Sequence, residues 1–164
     1  MQGAIHAFLT HDHGRLDALL LRATADPDTV DRAAYDDFRA GLLRHIAMEE
    51  KVLLPEARRL RGEPLAAAKR LRADHAVLAA LLVPTPTHAI LATVRSILTE
   101  HNAIEEQPGG VYEAAEQLVG AGADALLARI RAIPEVPVAQ HFDGPRAHEA
   151  IARLLEAREA VRVR

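Results

Sequence analysis

Cysteine and tryptophan are absent from this 164-residue chain, and aromatic residues make up only 3% of it. Without cysteine there is no disulfide, no iron–sulfur cluster and no thiolate zinc site, so any metal has to be held by histidine and carboxylate. The scarcity of aromatics, with only nine glycines and nine prolines, leaves a chain dominated by Ala, Leu, Arg and Glu. That mixture favours helix and nearly excludes an all-β fold. Basic charge is not in excess: the net charge of −3 with histidine neutral offers no electrostatic footprint for nucleic acid. Long apolar runs are missing too. The longest, Ala76 to Val83, spans eight residues and is too short to cross a bilayer. The first residues do not read as a basic-then-apolar signal segment. We therefore expect a single-core soluble, cytoplasmic protein with neither nucleic acid nor membrane as a partner. Nucleophile chemistry is equally thin. Ser96, the only serine, falls mid-helix, and Gly109-Gly110 lacks the lysine of a phosphate loop.

What is present is punctuated helix. Turn signals at Ala25 to Thr29, Arg61 to Pro64, Val83 to Thr87 and Gln107 to Gly110 separate four long stretches of three-and-four apolar spacing. They predict helices over about 3–24, 30–60, 64–83 and 87–106, with Pro64 in the first turn of the third. Pro55, inside the second, predicts a kink or restart, because proline lacks the amide donor and crowds the carbonyl four residues back. Pro108, just past the fourth, marks a similar interruption. Val111 to Val119 and Ala123 to Ile133 read as shorter helices. An extended proline-bearing stretch follows, and then a last helix over about Arg146 to Val161. The fold class expected is all-α: an antiparallel up-down four-helix bundle over residues 1–119, with a helical extension over 120–164 packing on the bundle or on a partner subunit, as in a homodimer.

Each long helix carries a histidine in the stripe that should be core, and the histidines recur with their neighbours. Asp12-His-Gly-Arg-Leu-Asp-Ala-Leu-Leu20 and Asp74-His-Ala-Val-Leu-Ala-Ala-Leu-Leu82 agree at six of nine positions. His45-Ile-Ala-Met-Glu-Glu50 and His101-Asn-Ala-Ile-Glu-Glu106 agree at four of six. Two similar hairpins facing each other about a pseudo-twofold axis explain the order. In an up-down bundle, residues on successive helices share a height when the turn lies midway between them. The midpoints of 13 and 45, 45 and 75, and 75 and 101 are 29, 60 and 88, each at or within about two residues of a turn signal. His13, His45, His75 and His101 are thus expected in one layer.

A histidine and a glutamate four residues apart share a helix face, about 6 Å apart along the axis. His45 with Glu49 and His101 with Glu105 form two such pairs, and His13 and His75 bring two more imidazoles. Four nitrogens and two carboxylates suit iron, with manganese or zinc also fitting. Two divalent ions bridged by the carboxylates give the simplest charge balance, one taking His13 and His45, the other His75 and His101. Without a cation, burying these groups among leucines costs several kcal/mol per unpaired ion. On the helix surface instead, each His/Glu pair would be worth only about 0.2–0.5 kcal/mol.

These motifs resemble the hemerythrin-like, or HHE cation-binding, family over roughly residues 5–118. The segment His45-Ile-Ala-Met-Glu-Glu-Lys-Val-Leu-Leu-Pro55 is the most specific match. The resemblance implies a four-helix bundle around a non-haem di-iron centre that binds or reacts with O2, and in some relatives stores iron or senses oxygen. Oxygen-carrying members resemble a pattern of five histidines with two of them one turn apart on the third helix. Here the positions one turn either side of His75 are Leu71 and Ala79. One ion is therefore expected to be a ligand short, which invites water, peroxide or redox turnover, and makes a di-iron oxidoreductase acting on peroxide or ferrous iron, or a metal-locked sensor module, the alternatives to oxygen binding. Among the remaining histidines, His6 is expected in the core, His11 in solvent, His88 in the turn before the fourth helix, and His141 and His148 at the surface or an interface. Glu50 and Glu106, about 100° around the helix from their neighbours, are expected at the rim of the metal layer or behind it.

Overall fold

The computed structural model describes residues 3–162. Among them every regular element is helical and no strand occurs. In chain order the elements are α1 (Ala4–Ala23), α2 (Arg32–Met48), a π-helical segment (Glu49–Leu53), α3 (Leu54–Arg61), α4 (Ala68–Leu81), α5 (His88–Glu106), α6 (Val111–Val119), a short 3₁₀ turn (Gly120–Gly122), α7 (Ala123–Arg131) and α8 (Pro145–Arg162).

Local chemistry sets these boundaries. Asp31 accepts from the Ala34 amide (3.0 Å) and Thr87 from the Ile90 amide (3.2 Å), so both side chains satisfy amide donors that α2 and α5 leave open in their first turns. At the start of α1 no local side chain does this. Instead Glu116 of α6 accepts from the amides of Ile5 and His6 (3.1 and 3.2 Å), tying the first helix to the sixth. Gly62, with φ of 85°, ends α3 in the left-handed conformation that a Cβ disfavours. At Gly110 a Cβ would lie 2.7 Å from the carbonyl oxygens of Ile104, Glu105 and Gln107, so only glycine lets the chain turn this tightly into α6.

At Pro55 the second helix is interrupted and restarts as α3. The segment before it widens to π geometry, with the Leu54 amide donating to the Glu49 carbonyl, and Pro55 then lies in the first turn of α3, where its missing donor costs little. Two boundaries differ from expectation. α4 begins at Ala68 rather than about residue 64, so Pro64 lies in the connection and not in the first turn. His88 opens α5 instead of preceding it, because Thr87 takes the capping position.

The apolar side chains form two clusters. One gathers Ile5, Leu9, Met48, Leu53, Leu71, Tyr112, Ala115, Leu126 and Ile130. The other gathers Leu16, Leu20, Tyr35, Phe38, Leu42, Leu78, Leu82, Leu91, Val94 and Ile97. In the sequence of α1, Leu9 belongs to the first and Leu16 to the second, and the buried Asp12 and His13 lie between. The same break recurs in α4, where Asp74 and His75 separate Leu71 from Leu78. A polar layer thus divides the core. α7 packs against α1 and the π segment, and α8 packs along α4. The stretch between them is pinned by Arg44 to the carbonyls of Arg131 and Ile133 and by Arg39 to that of Ala139.

Candidate metal centre

The polar layer brings together His13, His45, Glu49, His75, His101 and Glu105, all buried. They come from four helices and the π segment, and fall into two overlapping sets. His13, His45, Glu49 and Glu105 form one, and Glu49, His75, His101 and Glu105 the other, with the donor atoms of each set within 4.8 Å of one another.

The two carboxylates span both sets. Glu49 places Oε1 3.3 Å from His45 Nε2 and Oε2 3.1 Å from His75 Nε2. Glu105 places Oε2 3.5 Å from His13 Nε2 and Oε1 3.2 Å from His101 Nε2. Within each set the imidazoles meet through the same nitrogen: His13 Nε2 and His45 Nε2 are 2.9 Å apart, and His75 Nε2 and His101 Nε2 are 3.2 Å apart.

The outer nitrogens are all held by carboxylates. His13 Nδ1 donates to Glu106, His45 Nδ1 to Asp12 (2.9 Å), His75 Nδ1 to Glu50 (2.8 Å) and His101 Nδ1 to Asp74 (3.2 Å). The pattern obeys the internal repeat: each hairpin's aspartate holds the histidine of its own second helix, and each glutamate holds a histidine of the other hairpin. Such contacts fix both ring orientation and tautomer, leaving a lone pair on every neutral Nε2. Four lone pairs and four carboxylate oxygens then face one another, an arrangement of acceptors that requires a cation. Glu49 Oε2 and Glu105 Oε1, buried on the His75/His101 side, make no hydrogen bond, so the residues present fit a bound cation.

One group in this layer escaped the sequence reading. Tyr112, fully buried on α6, directs its hydroxyl into the first set, 3.1 Å from His13 Nε2 and 3.4 Å from His45 Nε2, and donates to Glu49 Oε1 at 2.6 Å. Burial, followed by the charges of Glu105 and Glu49, holds this phenol well above its usual pKa and keeps its proton in place. The two halves of the layer are consequently unequal, since among the described residues no hydroxyl hydrogen-bonds to His75 or His101. Replacing Tyr112 with phenylalanine keeps the ring packing and removes the donor. Affinity for the ion beside His13 and His45 is expected to fall about 10–100-fold, the range for lost outer hydrogen bonds at metal sites. A competition titration against a chelator measures this, and an unchanged affinity would contradict it.

Burial alone would lower the pKa of His45, but the Glu49 charge and the Asp12 hydrogen bond outweigh it and raise the value to about 10. The same contest between burial, Glu105 and Asp74 raises His101 to about 10. In the metal-free protein, protons therefore supply the positive charge, and metal has to displace them. Both groups titrate near 6.5 when unperturbed, so their contribution to stability is fully present below that pH and is lost as pH rises through about 10. Urea unfolding of metal-free protein is expected to show a lower midpoint at about pH 9.5 than at about pH 6. Equal midpoints would refute the assignment.

The other histidines lie apart from the layer's centre. His6 is buried, its ring edge-on to Tyr112 and its Nε2 3.2 Å from the Glu106 carbonyl. His11 and His148 are exposed, and His88 and His141 are half-buried.

Comparison with curated proteins and with solved structures gave no match. The hemerythrin HHE cation binding domain matches residues 4–132, which takes in the whole metal layer, Tyr112 and α7 and stops short of α8. A match over most of the chain that includes both His-x-x-x-Glu motifs, together with buried His/Glu sets suited to a cation, places this protein in the hemerythrin HHE cation-binding domain family.

Proposed function

We propose that the protein is a non-haem di-iron protein that binds or senses O2 or a related small oxidant in the cytoplasm, its four long helices forming an antiparallel up-down bundle. The observation that carries this reading is the pair of carboxylates, each with one oxygen beside one pair of imidazoles and its second oxygen beside the other. One ion would be held by His13, His45, Glu49 Oε1 and Glu105 Oε2, and the other by His75, His101, Glu49 Oε2 and Glu105 Oε1. Iron supplies a reversible one-electron change and a coordination position for the oxidant.

The chain's own residues do the rest. Asp12, Asp74, Glu50 and Glu106 hold the imidazoles in the tautomer that binds metal. Tyr112 keeps a proton at its hydroxyl, beside Glu49 Oε1. The two apolar clusters exclude bulk water from both ends of the layer. A cavity of about 440 Å³ borders all four histidines and reaches the exposed Gly14 on α1, where added bulk would meet no neighbouring atom. It supports entry of a small molecule from the α1/α5 side.

Aerobic loading of metal-free protein with ferrous iron tests the proposal. New near-ultraviolet and visible absorption that responds to O2 is expected, and a colourless protein would end it. The unequal halves also favour a second reading, in which the centre turns over peroxide or oxidises ferrous iron. Peroxide consumption by the iron-loaded protein separates that activity from binding alone.

A further inference from the structure

Both aspartates behind the metal layer are neutralised by arginine, but from different places. Asp12 pairs with Arg15 one turn along its own helix at 2.8 Å, and that arginine is 44% exposed. Asp74, fully buried, pairs through Oδ1 with Arg158 at 2.6 Å, and Arg158 is itself 5% exposed and arrives from α8. The same carboxylate holds His101 Nδ1 through its other oxygen. A continuous line of contacts therefore runs from the inner nitrogen of His101 through Asp74 to a helix outside the family match.

Charge holds the last two turns of that helix. Ala147 and Ile151 are the buried apolar residues of α8, and Leu154 and Leu155 pack half-buried against the second cluster; beyond Leu155, Arg158 is the one buried side chain among the described residues. Arg158 also donates to Glu100 on α5 at 2.8 Å, and Arg162 reaches the same glutamate at 3.3 Å. Beyond Leu155, α8 is thus seated chiefly by charge on the back of the metal layer.

We propose that α8 is an arm whose seating is coupled to occupancy of the His75/His101 half, with Arg158 as a positioning residue acting on His101 through Asp74. The proposal rests on the metal-binding reading above. A cation at His101 Nε2 fixes the ring, so that its Nδ1–H holds Asp74 in the one orientation that presents Oδ1 to Arg158. By linkage, a seated Arg158 favours metal by the same factor as metal favours the seated arm. Arg15, in solvent, has no such leverage on His45.

Zinc alone serves as a redox-inert probe. Hydrogen exchange in residues 152–162 of the full-length protein is expected to slow by about 5–150-fold on loading with zinc, the range of ordinary coupling. Arg158→Met is expected to weaken the binding of one zinc equivalent by about 10–100-fold and to abolish the change in exchange, with partial recovery in Arg158→Lys. Arg15→Met is expected to leave both largely intact. If wild-type protein takes up two equivalents while exchange in α8 stays the same, the coupling is refuted and the metal site stands. If wild-type protein binds no zinc or iron, the functional reading falls and the coupling falls with it.

Discussion

Glu49→Ala is expected to reduce bound metal from two ions per chain to one or fewer, the largest loss any single substitution in the layer should cause apart from Glu105→Ala, its counterpart. Each ligating histidine touches one pair of donors, but Glu49 serves both, with Oε1 beside His45 and Oε2 beside His75. Its removal would take one oxygen from each of the two proposed ions and leaves four imidazoles facing each other with only Glu105 to balance them. It also leaves the Tyr112 hydroxyl without its closest acceptor. Elemental analysis of the purified variant measures the effect, and Glu63→Ala, at an exposed position, is the control. Two ions per chain in Glu49→Ala would show that the carboxylate does not bridge.

Phe38→Ala is expected to have the opposite profile, a large loss of stability with metal retained in the folded fraction. Phe38 is fully buried in the cluster on the far side of the layer from Tyr112, beside Tyr35 at a ring separation of 6.4 Å and with Leu42 and Leu78 in the same cluster. Truncating a buried phenylalanine costs about 3–5 kcal/mol. For a chain of this size that lowers the thermal midpoint by roughly 6–20 °C. Calorimetry of the metal-free variant reads the shift. A midpoint within about 1 °C of wild type would mean that the second cluster does not carry the stability assigned to it.

The two profiles show why parts of this protein are readable from sequence. The histidine layer was legible because helical geometry leaves few freedoms: a spacing of four puts His45 and Glu49 on one face, and turn positions alone bring His13 and His75 to the same depth. The family resemblance rests on those same residues and extends in the match to α7. Asp12 and Asp74 were visible as matched positions of the repeat, yet their work on His45 and His101 required knowing which helices neighbour each other. Tyr112 gave no local signal. It sits in a stripe with Val111 and Ala115 that reads as ordinary core, and it reaches the metal layer only because Gly110 allows the chain to turn back sharply after α5.

The π segment was hidden for a different reason. Pro55 announced an interruption, but both a kink and a widened turn relieve the clash it causes. The second hairpin shows what this does to the repeat: His101 to Glu106 is regular α-helix, whereas Glu49 and Glu50 lie in π geometry, so the two hairpins match in their ligands and not in their backbone. The ligand pattern survives the difference: Glu49 and Glu50 grip opposite nitrogens of His75, as Glu105 and Glu106 grip those of His13. Arg158 was out of reach altogether, because nothing in α8 repeats or pairs with the metal motifs in sequence, and only packing of α8 along α4 delivers it to Asp74.

The direct test of the dinuclear centre is an anaerobic titration of metal-free protein with ferrous iron, counting the ions bound per chain. Two tightly bound equivalents, reduced to one or none when Glu49 or Glu105 is replaced, are the predicted result. A single equivalent in the wild-type protein, or none, would contradict a centre built from two imidazole pairs and two shared carboxylates.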